Sequence, residues 1–249
     1  MIELIHGDCM DYMRSLPDTY QTLSAIGSGF MDYEKYGEVF RKGNVTLINC
    51  DCMDLMADAP ENHWQLSIVD PPYGIGMSGG NVGYEGANNL ERKDWDNEIP
   101  SEEYFLQIKR VSKNQIVWGG NYFKVLWPTR GYIVWDKGAG FRGRTFAESE
   151  LAYTSFDRNA KTFSYDPLSQ GDYRGKIHPT QKPIKLYDWL LSNYAKPGDR
   201  ILDTHLGSGS SAIAAHYAGH DFVGIELDED YFNAASKRFN ESTKQEALF

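Results

Sequence analysis

A buried strand has to end at residue 69 of this chain, because an apolar run there meets two consecutive prolines. Residues 66–69 precede Asp70-Pro71-Pro72-Tyr73, and neither proline nitrogen can donate a hydrogen bond to a neighbouring strand. The backbone therefore leaves the sheet and presents a carboxylate, a bare carbonyl and an aromatic ring. A rigid turn without chemistry is the alternative interpretation, since Pro-Pro is common in loops.

These groups suit the transfer of a chemical group to an exocyclic amine on a planar ring. Asp70 and the Pro71 carbonyl can each accept one N–H of the amine, while Tyr73 stacks on the ring. Two hydrogen bonds out of the ring plane favour a pyramidal nitrogen with a localised lone pair, so the site acts by positioning and electrostatics. The sequence therefore predicts Asp70, Pro71, Pro72 and Tyr73 as the catalytic residues.

The second half of the chain predicts a nucleotide pocket. Residues 200–203 have the pattern of a short buried strand, Gly207-Ser208-Gly209 that of a loop, and residues 210–218 that of a helix. The next strand ends on Glu226, where a carboxylate reaches ribose hydroxyls in nucleotide-binding units. The third glycine of the dinucleotide fingerprint is missing, which argues against NAD or FAD.

Strands and helices alternate along the sequence. Strands are predicted at 45–49, 65–69, 115–118, 132–135, 151–154, 200–202 and 222–225, and helices at 101–111, 184–194, 210–218 and 228–239. This alternation predicts an α/β fold with a mostly parallel twisted sheet and helices on both faces. In the last helix, Asp228 is the predicted cap.

Three motifs, in this order, resemble those of a known enzyme family. They are the tetrapeptide 70–73, His178-Pro179-Thr180-Gln181-Lys182-Pro183, and residues 203–211 with the sequence Asp-Thr-His-Leu-Gly-Ser-Gly-Ser-Ser. Together they look like the motifs of S-adenosylmethionine-dependent DNA amino-methyltransferases of the N6-adenine and N4-cytosine family. Because the catalytic motif precedes the cofactor loop, the order resembles the beta group, whose Rossmann-like methyltransferase fold is circularly permuted. The similarity covers roughly residues 45–240.

The resemblance implies S-adenosyl-L-methionine as cofactor and assigns residues to it. Asp203, Gly207 and Gly209 correspond to residues that hold the methionine end, and Glu226 corresponds to the residue that holds the ribose. Asp51 and Cys52 would lie against the adenine, with Thr180 and Lys182 near the carboxylate. The complete set of predicted cofactor-binding residues is Asp51, Cys52, His178, Thr180, Lys182, Asp203, His205, Gly207, Ser208, Gly209, Ser211, Glu226 and Leu227.

The chain departs from the family at residues 204–206, where Thr-His-Leu replaces a proline, an aromatic and a small residue. His205 is interpreted as a lining residue rather than a general base, because a cationic amine loses its proton without a strong base. The altered segment leaves open a catalytically silent, DNA-binding relative. A nucleotide-dependent oxidoreductase is the other alternative, although it gives the tetrapeptide no role.

An internal repeat precedes the catalytic motif. Residues 4–13 match residues 47–56 at seven of ten positions. A strand leading into Asp70 follows only the second copy, so Asp51 rather than Asp8 is assigned to the cofactor. Residues 1–44 are predicted as an N-terminal extension with a partial repeat of 47–60, and residues 45–249 as the methyltransferase domain.

The net charge of −10 argues against a DNA partner, but the charge is unevenly spread. Residues 130–185 hold ten Lys and Arg against six Asp and Glu. Basic residues interleaved with aromatics suit phosphate contact and base stacking, whereas an ordinary solvated region is the alternative. The predicted DNA-binding residues, within a small target-recognition insertion at about 136–178, are Lys137, Arg142, Arg144, Arg158, Arg174 and Lys176.

Composition limits the remaining possibilities. The length of 249 residues suits one sizeable α/β domain. The three cysteines have no zinc spacing, so no metal is expected, and free thiols suit a reducing cytosol. A stretch of about 18 apolar residues and a signal pattern are both absent, so we expect a cytoplasmic protein without membrane contact. The glycine- and asparagine-rich segment 74–100 is predicted to be a mobile loop.

The sequence therefore predicts a DNA methyltransferase of restriction-modification type that flips its target base out of double-stranded DNA. Within the family, an aspartate at the first position of the tetrapeptide goes mainly with adenine N6, and a serine mainly with cytosine N4. Asp70 thus favours adenine, with cytosine N4 as the alternative. Family analogy also suggests a homodimer.

Overall fold

The computed structural model describes residues 31–78 and 91–244. The first copy of the repeat, residues 4–13, lies outside the described residues, and so does the central part of the predicted loop 74–100. Strands and helices in the described ranges form one sheet with packed helices.

Nine strands of the described residues form this sheet. They are β1 (Glu38–Lys42), β2 (Val45–Asn49), β3 (Trp64–Val69), β4 (Ser112–Trp118), β5 (Ile133–Asp136), β6 (Ser149–Thr154), β7 (Lys161–Ser164), β8 (Ile201–Asp203) and β9 (Phe222–Glu226). Their order is β1-β2-β9-β8-β3-β4-β6-β5-β7. The five strands from β2 to β4 in this order run parallel to one another. β1 and β6 run antiparallel to their neighbours, and β7 runs parallel to β5.

Five α-helices occur in the described residues. They are α1 (Cys52–Asp58), α2 (Glu102–Val111), α3 (Ile184–Tyr194), α4 (Ser210–Ala218) and α5 (Glu229–Ser242). Asp51 caps α1 by accepting a hydrogen bond from the Met53 amide, and Asp228 caps α5 by accepting one from the Tyr231 amide. The predicted cap at Asp228 is thus confirmed.

The helices pack on a sheet whose central strands β3, β8 and β9 are almost entirely buried. α2 contacts β4, α4 contacts β9, and α5 contacts β2 and β9. Trp64, Trp118 and Trp135 are among the largest fully buried side chains. Burial of aromatic side chains of this size stabilises the fold strongly, because each removes a large apolar area from water.

The seven predicted strands and four predicted helices are confirmed, with ends shifted by at most three residues. The sequence analysis missed β1, β7 and α1. β1 and β7 lie at the two edges of the sheet and their residues are mostly exposed or half-buried, so they lack the hydrophobic pattern of the central strands. Since β1 pairs with β2, the sheet begins before residue 45, inside the segment predicted as an extension.

The parallel strands bring their carboxyl ends to one edge of the sheet. Asp70 follows β3, Asp203 ends β8 and Glu226 ends β9, so the tetrapeptide and the glycine loop meet at this edge, where open α/β sheets bind ligands. In the part of the chain that the structure describes, no helix is both long and apolar enough to cross a membrane.

Candidate active site

The tetrapeptide leaves the sheet directly after β3, as the two prolines require. The Asp70 carboxylate is held from two sides: Oδ1 accepts a hydrogen bond from the Tyr73 hydroxyl, and Oδ2 lies 2.5 Å from Lys182 Nζ. Burial raises the pKa of Asp70, and the adjacent Lys182 ammonium opposes this rise. Asp70 is therefore a half-buried hydrogen-bond acceptor with a cation beside it.

The Tyr73 ring lies in a slot that requires glycine beneath it. It stacks on Tyr122 with ring centroids 5.0 Å apart and an interplanar angle of 15°. Gly119 has a φ of 68°, and a Cβ there would stand 2.2 Å from Tyr73 Cε1. A side chain at position 119 would thus collide with the ring, in a backbone conformation that non-glycine residues rarely adopt.

Asp96 fixes the backbone of the turn that carries Tyr73. Its Oδ1 accepts hydrogen bonds from the amides of Tyr73 (2.7 Å) and Gly74 (3.0 Å), and its Oδ2 accepts one from Met77 (2.7 Å). Asp96 is 2% exposed. These charge-assisted bonds satisfy buried amides that would otherwise lack partners.

Two adjoining cavities meet at the tetrapeptide. The tetrapeptide cavity, of about 450 Å³, is lined by residues 70–73, by residues around Gly119 and Tyr122, and by residues 144–147 and 149–151. The glycine-loop cavity, of about 490 Å³, is lined by residues 50–52, 204–208 and 226–228 and by the motif 178–182. The residues lining both cavities are Asp70, Pro72, Trp95, Thr180 and Lys182.

Most of the predicted cofactor-binding residues lie together around the glycine-loop cavity. Those lining it are Asp51, Cys52, His178, Thr180, Lys182, His205, Gly207, Ser208, Glu226 and Leu227. The Glu226 carboxylate accepts hydrogen bonds from the amides of Gly207 and Asp228. Burial raises the pKa of Glu226 to about 7, although these hydrogen bonds favour the ionised form.

Three predicted residues, Asp203, Gly209 and Ser211, are not part of the lining. Asp203 is 1% exposed, and its carboxylate accepts hydrogen bonds from Ser211 Oγ (2.6 Å) and the His205 amide (3.0 Å). Burial raises its pKa to about 7. Gly209 has a φ of 73° and precedes the first residue of α4. In this structure, these residues shape the loop beneath the cavity.

The histidines around the glycine-loop cavity are half-buried rings whose surroundings favour the neutral form. Burial lowers the pKa of His178 to about 3 and that of His205 to about 4. His205 Nδ1 lies 3.0 Å from Thr204 Oγ1, and His178 stacks on Trp95. These contacts agree with the interpretation of His205 as a lining residue.

Lys182 contacts Asp70, whereas the family resemblance implies a position near the cofactor carboxylate. It is 4% exposed, and besides Asp70 its Nζ lies 3.2 Å from Glu150 Oε2. Burial works against its charge, but the carboxylates of Asp70 and Glu150 outweigh burial and raise the pKa of Lys182. Lys182 is thus a fixed cation between the two cavities.

Three of the predicted DNA-binding residues are exposed on loops at the carboxyl edge of the sheet or next to it. Arg144 lines the tetrapeptide cavity, and Arg142 pairs with Asp136 at the end of β5. Arg174 is exposed between β7 and α3. Exposed guanidinium groups in such loops can reach phosphate oxygens.

The other three predicted DNA-binding residues lie in a cavity wall or at the opposite edge of the sheet, and their contact with DNA stays a prediction. Lys137 and Lys176 are each 7% exposed and line the tetrapeptide cavity. Arg158 donates to the Asn193 carbonyl near the end of α3. Because β6 runs antiparallel to β4, the segment after β6 lies at the opposite edge of the sheet from the cavities.

The sequence analysis missed Tyr122, Asp96 and Glu150. Tyr122 follows two glycines at the carboxyl end of β4, and an aromatic residue at that edge of a parallel sheet is a signal that could have been used. Asp96 and Glu150 carry no such signal, because their contacts join segments that are far apart in the sequence.

Comparison with known proteins agrees with this geometry. The model of the DNA methylase family N6_N4_Mtase matches residues 117–237. The type II methyltransferase M2.DpnII of Streptococcus pneumoniae is 28% identical in an alignment of 222 residues that covers 68% of this chain and 80% of that protein.

Solved structures share the fold. The M1.HpyAVI–SAM complex has a TM-score of 0.54 at 17% identity and covers 78% of this chain and 99% of that chain. The cytosine-N4-specific PvuII DNA methyltransferase has a TM-score of 0.52 at 13% identity, with 82% and 95% covered.

A mostly parallel sheet with the tetrapeptide and the glycine loop at one edge defines a Rossmann-like methyltransferase fold, as predicted from the sequence. The family model and the similarity to M2.DpnII together support an S-adenosylmethionine-dependent DNA methyltransferase of the N6/N4 family. The M1.HpyAVI structure, which shares this fold, is a complex with S-adenosyl-L-methionine.

The glycine-loop cavity fits this cofactor in size and chemistry. Its volume of about 490 Å³ lies within the usual range of small-molecule sites. Gly207 lines it with a φ of 53°, and a Cβ there would extend to 3.5 Å from the His178 ring. The Glu226 carboxylate suits ribose hydroxyls, and the carboxylates of Asp51 and Glu226 suit a ligand that carries a positive charge.

Proposed function

We propose that this protein methylates the exocyclic N6 amine of adenine in double-stranded DNA, with the base flipped into the tetrapeptide cavity. The observation that carries the proposal is the position of Asp70 in the wall shared by the two cavities. An acceptor there can hold an amine on one side and face the cofactor on the other. Flipping is required because the amine is otherwise paired inside the duplex.

On the base side, Asp70 and Pro71 orient the amine. One N–H donates to Asp70 Oδ1 and thereby replaces the Tyr73 hydroxyl that occupies this oxygen in the structure. The second N–H donates to the Pro71 carbonyl, and the Tyr73 ring turns to stack on the base. These bonds localise the nitrogen lone pair and aim it at the glycine-loop cavity.

On the cofactor side, the residues that line the glycine-loop cavity bind and orient S-adenosyl-L-methionine. Glu226 would accept hydrogen bonds from the ribose hydroxyls, and Thr180 would lie near the methionine part. The adenine would lie against Asp51, Cys52 and Leu227. When bound, S-adenosyl-L-methionine supplies an electrophilic methyl group on a sulfonium. The methylated amine is acidic, so its proton passes to Asp70 or to water without a strong base.

The preference for adenine over cytosine depends on the first residue of the tetrapeptide. Asp70 is an aspartate, as in most family members that act on adenine. Arg142, Arg144 and Arg174 are the proposed phosphate contacts, because they are the exposed members of the predicted set nearest the cavities.

The proposal is tested by product analysis. The protein is incubated with labelled S-adenosyl-L-methionine and unmethylated duplex DNA, and the DNA is digested to nucleosides and analysed by mass. We expect N6-methyldeoxyadenosine from the wild type and its loss in Asp70→Ala, while calorimetry detects cofactor binding to both proteins. The exposed Asp94→Ala serves as a matched control.

Two results would overturn the proposal. N4-methyldeoxycytidine would keep the chemistry at Asp70 but assign the other base. Cofactor binding without a product on any DNA would favour the catalytically silent relative.

A further inference from the structure

Four charged side chains form an alternating chain along the wall of the tetrapeptide cavity. Lys137 Nζ lies 2.6 Å from Glu150 Oε1, Glu150 Oε2 lies 3.2 Å from Lys182 Nζ, and Lys182 Nζ lies 2.5 Å from Asp70 Oδ2. Their side chains are between 3% and 22% exposed. We name this set the charge chain.

The sheet, rather than a flexible loop, fixes the charge chain. Glu150 lies in β6 opposite Trp135 of β5, and Lys137 follows the end of β5. Asp70 follows β3, and Lys182 precedes the first turn of α3. A charge buried on such rigid elements needs a partner, because an isolated buried ion is strongly destabilised.

We propose that Glu150 is a positioning residue for the methyl transfer. It holds the Lys182 ammonium between two carboxylates, so that Lys182 contacts Asp70 through Oδ2 alone and leaves Oδ1 for the amine of the target base. This inference rests on the proposed function of Asp70. Without the Glu150 carboxylate, the ammonium moves onto Asp70 and competes with the amine for its lone pairs.

The groups around the charge chain determine the sign of any pH effect. Asp70 faces Tyr73 at the end of β3 and Tyr187 of α3, and Lys182 has His178 and Lys176 nearby on the preceding loop. Burial works against the charge of Glu150, but Lys182 and Lys137 outweigh it and lower the pKa of Glu150 to about 2. Glu150 is therefore ionised throughout the working pH range.

The negative charge of Glu150 also acts on its neighbours. Burial is the main cause of the raised pKa of Asp70, and the charge of Glu150 raises it further. Against the opposing effect of burial, the carboxylates of Asp70 and Glu150 both raise the pKa of Lys182. Burial lowers the pKa of Lys176 to about 7, and Lys137 adds to this effect. Removal of the Glu150 charge thus lowers the pKa values of Asp70 and Lys182 together.

The test is the pH profile of methyl transfer by the full chain with Glu150→Gln. We expect kcat to fall roughly tenfold to a hundredfold, because the acceptor is misplaced. The acidic limb of the profile, where Asp70 becomes protonated, should move by about one unit to lower pH. The affinity for S-adenosyl-L-methionine, measured by calorimetry, should stay within about twofold of the wild type.

Two further variants separate positioning from folding. Glu150→Asp keeps the charge but shortens the side chain, so we expect a partial recovery of kcat and a smaller shift of the acidic limb. Glu241→Gln on the exposed surface of α5 is the matched control and should match the wild type. Thermal melting of each variant checks that it folds.

A fall in kcat with an unshifted acidic limb would overturn the inference, since it would indicate a purely structural role. Unchanged kinetics in Glu150→Gln would also overturn it. If the wild type itself transfers no methyl group, or if Asp70→Ala remains active, the proposed function fails instead. The two failures are therefore distinguishable.

Discussion

Substitution of Asp96 by Asn should loosen the catalytic turn although it leaves the shape of the side chain unchanged. The carboxylate accepts hydrogen bonds from the backbone amides of Tyr73, Gly74 and Met77. An asparagine has only one acceptor oxygen. If this oxygen keeps the bonds to Tyr73 and Gly74, the amide nitrogen faces the Met77 N–H, and two donors then oppose each other.

The magnitude follows from counting these bonds. A hydrogen bond to a charged group stabilises by about 2 kcal/mol and a neutral one by about 1 kcal/mol. Asp96→Asn loses one charged bond completely and turns two others into neutral bonds. The expected loss is therefore about 4 kcal/mol, which is a large part of the stability of an ordinary domain. If only the turn of Asp96→Asn opens while the rest of the domain stays folded, the free energy of unfolding falls by less than this amount. The loss of activity is then the same, because the turn carries Tyr73.

Two measurements check this prediction. Urea unfolding gives the change in the free energy of unfolding, and methyl transfer to DNA gives kcat/KM, which should fall at least tenfold because Tyr73 loses its place. Asp94→Asn is the matched control, since this exposed carboxylate accepts a bond from the Asn97 side chain. If Asp96→Asn matched the control in both stability and activity, the assigned role of Asp96 would be refuted.

Two further predictions concern cofactor and DNA. Because burial raises the pKa of Glu226 to about 7, cofactor affinity should fall by up to tenfold for each pH unit below 7. Calorimetry should show that this pH dependence is lost in Glu226→Gln, and a retained pH dependence would contradict the assignment of Glu226 to the cofactor. Arg144→Ala should weaken DNA binding and reduce the dependence of log affinity on log salt concentration by about one. Arg158→Ala, at the opposite edge of the sheet, should change neither quantity. Equal losses of affinity for the two variants in a binding titration would contradict the placement of DNA at the cavity edge.

The sequence predicted the parts of the site that depend on local pattern. The two prolines after Val69 fix the end of β3, and the glycines before α4 fix a loop between strand and helix. Because parallel strands end at a common edge, these two features were enough to bring Asp70 and Glu226 to neighbouring cavities.

The remaining parts depend on strand direction and long-range contact, which local pattern does not encode. β6 runs antiparallel to β4, and this direction sends Arg158 away from the site while it places Glu150 beside Lys182. Lys137 and Lys176 were predicted as DNA contacts because they lie in a segment where basic residues interleave with aromatic ones. Their burial in a cavity wall follows from neighbours that periodicity cannot reveal.

Pairing of β3 with β8 ties the catalytic strand to a segment that is synthesised much later. Leu66 and Ser67 pair with Ile201 and Leu202, so one side of β3 stays open until most of the chain has left the ribosome. Contacts of such long sequence separation slow folding and expose strand edges to aggregation. Expression at low temperature, or with chaperones that shield open strands, should therefore raise the yield of active enzyme.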